Sequence, residues 1–254
     1  MDPEAVLELM SSAPQRYETV RASLRHRGDG PTIKALRDRF SRSEAYRRTF
    51  GLPGAPPGDT CDPEPDGPFE WRCRVWLIDN NRWRVELALP DGGVDMAAST
   101  GRLRSADAPE GPAGTSELWE RRIGGDVPSD APGWLPQPTD TFWTMYPFDP
   151  SGICSLDGEL RWLDLVVEEP VRWAGREAFR LRGVPIEEWE YPPEPLWWGA
   201  DEYEAIVDAE RGVVLRLASR LGGDDFDALE VEEIHFDERF SQEVFDSRGP
   251  LAWR

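Results

Sequence analysis

Histidine and lysine are almost missing from this sequence: its 254 residues hold two histidines, His26 and His235, and one lysine, Lys34, beside 28 arginines. A Ser–His–Asp triad or a multi-histidine metal site therefore has almost nothing to draw on. Cysteine is also sparse. Cys61, Cys73 and Cys154 are widely spaced and form no C-x-x-C pair, which argues against a disulfide framework or a zinc site. No apolar run approaches the roughly 18 residues that a membrane-spanning helix needs. There is no GxGxxG turn between a strand and a helix, no P-loop and no β-α-β alternation. Positive charge is in deficit, with 29 Lys and Arg against 49 Asp and Glu and a net charge of −20. Most of the surface would repel a phosphate backbone, so nucleic acid is a poor partner. The chain opens with a capped helix pattern, Asp2 then Pro3 with Val6, Leu9 and Met10 on one face, rather than with a basic leader and an apolar core. The expectation drawn from that start is a cytoplasmic protein.

What the sequence has in quantity is tryptophan, 12 residues, and alternation of period two. Val20, Ala22, Leu24 and His26 alternate with arginines and Ser23, as a strand with one dry face does. Helical spacing replaces this at Ile33, Leu36 and Phe40, and a possible capping box at Ser41 to Glu44 suggests one broken helix or two short ones between Thr32 and Phe50. Residues 51–68 are too rich in Pro and Gly for regular structure. Beyond them Trp71, Cys73, Val75 and Leu77 alternate, Asn80-Asn81 offers a turn, and Trp83, Val85, Leu87 and Leu89 alternate again. Strands are expected at Val94–Ser99, near Arg102–Leu103 and at Leu118–Ile123, with long surface loops on either side of the last. A short helix is expected within Phe142–Leu163, then strands at Leu163–Glu169 and Ala178–Val184. Tyr203, Ala205 and Val207 turn through Asp208–Gly212 into Val213, Leu215 and Leu217, and a final strand spans roughly Ala228–Phe236.

Three phrases in the second half resemble the lipoprotein-carrier family of LolA, the LppX/LprG lipoproteins and RseB. They are V-E-E-P-V-R-W-A-G-R-E-A-F-R-L-R from Val167, Y-E-A-I-V-D-A-E-R-G-V-V-L-R-L from Tyr203, and the ending Ile234–Phe245. The resemblance covers residues 1–30 and 65–245 and implies an α+β, mainly antiparallel β fold. That fold is a curved, incompletely closed β half-barrel with N-terminal and mid-chain helices on its concave side. Residues 1–254 are then one LolA-like domain, and residues 31–68 are a helical and Pro/Gly-rich insertion. Members of the family bind acyl chains or hydrophobic polypeptide segments in the concavity.

Carboxylate clusters such as Asp224-Asp225-Phe-Asp227 and Glu230-Val-Glu-Glu233 read first as turns and solvated strand faces, and neither has calcium-loop spacing. His26 and His235 read as packed or rim residues, and Cys73 as a small hydrophobe. The tryptophans fit a large β core or the wall of an amphipathic cavity, where indole N–H groups can face water or a ligand. Arginines next to tryptophans in sequence point to the opposite strand face, so adjacency does not give cation–π pairs. Together these readings predict a non-enzymatic protein without cofactor or metal that holds an acyl chain or another hydrophobic ligand. Its expected lining is Trp71, Val75, Trp83, Leu87, Trp197, Trp198, Tyr203 and Leu215. The alternative is an intracellular protein-interaction or regulatory module on the same scaffold without a small-molecule ligand, which meets a protein partner through its acidic surface or through residues 31–50, a segment of net charge +4.

Overall fold

The computed structural model describes residues 2–42, 67–79, 82–88, 94–103, 116–123, 156–186, 196 and 199–245. In chain order these form α1 (Pro3–Ser11), β1 (Val20–Asp29), α2 (Gly30–Ser41), β2 (Pro68–Asp79), β3 (Arg82–Ala88), β4 (Val94–Leu103) and β5 (Ser116–Ile123). There follow α3 (Asp157–Leu160), β6 (Leu163–Val167), β7 (Val171–Trp173), β8 (Arg176–Pro185), β9 (Glu202–Asp208), β10 (Val214–Leu221) and β11 (Asp224–Phe236), with short 3-10 turns at Ala13–Gln15 and Gln242–Phe245. The strands form one open path, β5-β4-β3-β2-β1-β11-β10-β9-β8-β6, with β7 also on β8. The fold is therefore mainly antiparallel β with helices and an unclosed sheet, the class expected from the sequence. The chain splits into two compact units, one of Met1–Arg16, His26–Glu70 and Pro136–Glu230, the other of Tyr17–Arg25, Trp71–Leu135 and Val231–Arg254.

In the first unit, α1 starts where Asp2 accepts a hydrogen bond from the Glu4 backbone N–H at 3.2 Å and Pro3 occupies the first turn, where a missing N–H costs nothing. Its buried residues are Val6, Leu7 and Met10. Leu9, expected on that face, is only half-buried, and Leu7 takes the inward place. α2 buries Ile33 and Leu36 and ends at Ser41, so the expected continuation to Phe50 and the box to Glu44 reach outside the described residues. β1 continues past His26 to Asp29. Gly28 permits this, because a Cβ there would lie 2.2 Å from Phe69 Cζ.

The β9–β10 hairpin has the expected turn. Asp208, fully buried, accepts from the backbone N–H groups of Glu210 (3.0 Å) and Arg211 (2.6 Å) and pairs with Arg176. Gly212 has φ +77°, and a Cβ there would sit 2.4 Å from the Leu9 carbonyl oxygen of α1. The β7–β8 link turns through Ala174 (φ 46°) and Gly175 (φ 78°), the double positive φ of a tight two-residue hairpin. Both faces of β9 and β10 are buried: every residue from Tyr203 to Asp208 and from Gly212 to Ser219.

The second unit holds the β2–β3–β4–β5 meander. β4 is one strand to Leu103 rather than two runs, with its irregularity against β5 between Ser99 and Leu103.

Candidate ligand-contacting face

β2 and β3 pair with Cys73 opposite Leu87, Val75 opposite Val85 and Leu77 opposite Trp83. Period two then places Trp71, Cys73, Val75, Leu77, Trp83, Val85 and Leu87 on one face of the meander. The aliphatic members are nearly inaccessible, Val75 at 2% and Leu87 at 5% exposure, whereas Trp71 and Trp83 are half-buried. Four of the expected lining residues thus share one apolar face with an indole on each strand. Burial pushes the Cys73 thiol up to about 12, the behaviour of an inert hydrophobe.

On the opposite face of the same strands Trp76, Arg84 and Glu86 are buried too, and that face carries charge. Arg84 is 1% exposed and Glu86 is fully buried. They pair with each other, Arg84 donates to the Val244 carbonyl at 2.6 Å, and its guanidinium lies 5.5 Å from the Trp76 ring centroid. Trp76 is opposite Arg84 in register, so the cation–π pair comes from cross-strand pairing. These contacts tie the 3-10 turn Gln242–Phe245 to β3.

The other expected residues are placed elsewhere. Tyr203 (1% exposed) lies in β9 opposite Ser219, and Leu215 (fully buried) lies in the β10 bulge between Val214 and Arg216. Both belong to the packed interior of the first unit, and burial raises the Tyr203 phenol above its ordinary range. Trp197 and Trp198 lie outside the described residues. His26 is half-buried, 2.7 Å from Asp227 Oδ1 and edge-on to Phe69, and His235 is 2.7 Å from Glu233 Oε1. Among the described residues no group of three or more His, Cys, Asp or Glu is placed to hold a metal.

A charge ladder across the first unit was not foreseen. Glu202 and Glu204 of β9 stand opposite Arg220 and Ala218 of β10, and Arg182 of β8 opposite Glu204. Arg216 pairs with Glu204, with Asp225 and, at 3.3 Å, with Glu230; its guanidinium lies 5.8 Å from the Trp173 ring centroid. Arg220 reaches Glu202 at 3.0 Å and Asp225 at 2.8 Å, and Arg182 reaches Glu168 at 3.0 Å. Burial alone would raise the Asp225 carboxyl, but the Arg220 hydrogen bond and the two guanidinium charges hold it below its ordinary range. The expectation of a solvated face at Glu230 is corrected here: Glu230 is 4% exposed, whereas Glu232 and Glu233 are exposed. The alternation of charges in E-Y-E-A-I and L-R-L-A-S-R was the available signal, and it reads as solvent-facing until register sets arginines against carboxylates.

A second unforeseen feature is apolar exposure on one hairpin. Trp162 (57%), Val166 (60%), Val184 (45%) and Ile186 (59%) are exposed around the β6–β8 pair.

No protein-family model matches the sequence, and no curated protein does. Among solved structures, the chain is similar to the Pseudomonas aeruginosa MucA/MucB complex, with 13% identity, TM-score 0.42 and 97% of this chain against 61% of the other. It is also similar to a putative outer membrane lipoprotein-sorting protein domain from Vibrio parahaemolyticus (10% identity, TM-score 0.31, 96% and 97% coverage). A LolA superfamily protein from Nitrosomonas europaea matches at 8% identity, TM-score 0.28 and 97% and 98% coverage. The chain spans about three fifths of the MucB-containing chain it matches. The LolA and RseB-like resemblance read from the sequence reappears in these folds. The cytoplasmic location expected from the sequence is corrected by the same comparison, because it conflicts with a set that includes an outer membrane lipoprotein-sorting protein domain. A capped helix at the start of a sequence does not specify a compartment. Among the described residues no helix is long and apolar enough to cross a membrane.

Proposed function

We propose that the protein is a non-enzymatic binding protein for an acyl chain or another hydrophobic ligand, with residues 1–254 as one LolA-like domain, and that Trp71, Val75, Trp83 and Leu87 contact the ligand. The observation that carries this reading is the β2–β3 face, where two indoles stay half-buried beside aliphatic side chains that are almost wholly removed from water. An indole offers a large apolar area and one polar N–H, which suits the wall of a site for an amphipathic ligand. The small supply of histidine supports a binding role over hydrolysis.

Native mass spectrometry of the gently purified full chain, followed by titration with a fluorescent fatty acid, tests the reading. The expected result is a co-purifying lipid or saturable fatty-acid binding that weakens about tenfold in Trp83→Ala, the scale of one lost aromatic contact. Absence of both lipid and fatty-acid binding, with the wild-type chain folded by circular dichroism, would sink it.

A further inference from the structure

We propose that the outer edge of β6 is a docking site for an extended apolar segment of a partner protein, flanked by basic residues and added to the sheet as a further strand. β6 ends the strand path, and among the described residues only β8 pairs with it. A bare edge offers a row of backbone N–H and C=O groups, and proteins blunt such edges with proline, charge and kinks. Here those devices gather at one end. Glu168, Glu169 and Pro170 interrupt the edge between β6 and β7, whereas Leu163–Val167 has no proline and a single charge, the exposed Asp164.

The side chains beside this edge are those that strand addition uses. Asp164 is opposite Val184 and Val166 opposite Arg182, and the Ile186 N–H donates to the Trp162 carbonyl at 3.2 Å. Alternation puts Trp162, Val166, Val184 and Ile186 on one face, each more than two fifths exposed. An incoming strand pairs its backbone with β6 and lays alternate apolar side chains on that patch. Charge selects the occupant. Asp164 and Glu169 are exposed, whereas Arg182 is already engaged by Glu168 at 3.0 Å. A second copy of this chain brings another net charge of −20 to the edge, so a basic partner is favoured over self-pairing.

The probe is a short synthetic peptide alternating valine and threonine with lysine at both ends, labelled with fluorescein and titrated against the full chain by anisotropy at low salt. Saturable binding is expected, weakened about tenfold by Asp164→Lys and by replacing the terminal lysines with glutamate, as loss of complementary charge requires. A peptide N-methylated on every residue, unable to donate along either edge, should not bind. Val166→Lys should abolish binding while circular dichroism and the fatty-acid titration stay unchanged, which separates this site from the β2–β3 face. The proposal is overturned if the wild-type chain leaves the peptide free, if the N-methylated peptide binds equally well, or if sedimentation shows that the β6 edge joins two copies of the chain.

Discussion

Arg216 has three carboxylates, Glu204, Asp225 and Glu230, around a guanidinium whose side chain is 6% exposed. Its removal takes the shared cation from three carboxylates and leaves each with one close arginine, Arg220 beside Glu204 and Asp225 and Arg27 beside Glu230. Arg216→Ala should therefore lower the unfolding free energy by about 3–5 kcal/mol, read as a shift of the urea midpoint. Glu159 behaves in the opposite sense. Burial, with a smaller contribution from the Asp157 charge, raises its carboxyl above the ordinary range. A carboxyl whose pKa is higher folded than unfolded contributes stability that is fully present below the unfolded pKa and is lost as pH rises through the folded one. Glu159→Gln should flatten that decline and stabilise the protein at pH 7, as thermal unfolding at pH 4, 5, 6 and 7 will show. Neither residue stood out in sequence, because burial of a charge depends on neighbours brought from other strands.

At the level of elements, two glycines with positive φ separate conformational cost from steric cost. Gly212 in the β9–β10 turn has φ +77° and no room for a Cβ, whereas Gly222 in the β10–β11 turn has φ +62° and nothing within 4 Å of the position a Cβ would take. Gly222→Ala should lose about 1–2 kcal/mol from the left-handed backbone alone. Gly212→Ala should lose clearly more, because α1 must also move from the turn; chemical denaturation of the two variants side by side measures the difference. The strands carrying the proposed ligand face were legible for a simple reason: one face is wholly apolar and the other carries most of the charged side chains, so apolar residues alternate from Trp71 to Leu77 and from Trp83 to Leu87. The edge status of β6 was not legible. Leu163–Val167 reads like any other strand, and its neighbours follow from how β8 and β9 pair.

For the whole molecule, a ligand that binds only the folded chain raises its stability by mass action. A fatty acid at a hundred times its Kd should add about 2.7 kcal/mol and raise Tm, and in Trp83→Ala the same concentration should add less. The sequence by itself determined the antiparallel class, the positions of most strands and turns, and the poverty of catalytic residue types, because periodicity, turn chemistry and composition are local properties. It did not place the charged network of Arg182, Arg216 and Arg220, the buried Arg84–Glu86 pair or the exposed hairpin at Trp162 and Val166. Only tertiary structure decided those, since strand order and register determine which side chains meet, and contact with partners distant in sequence determines which of two alternating faces stays wet.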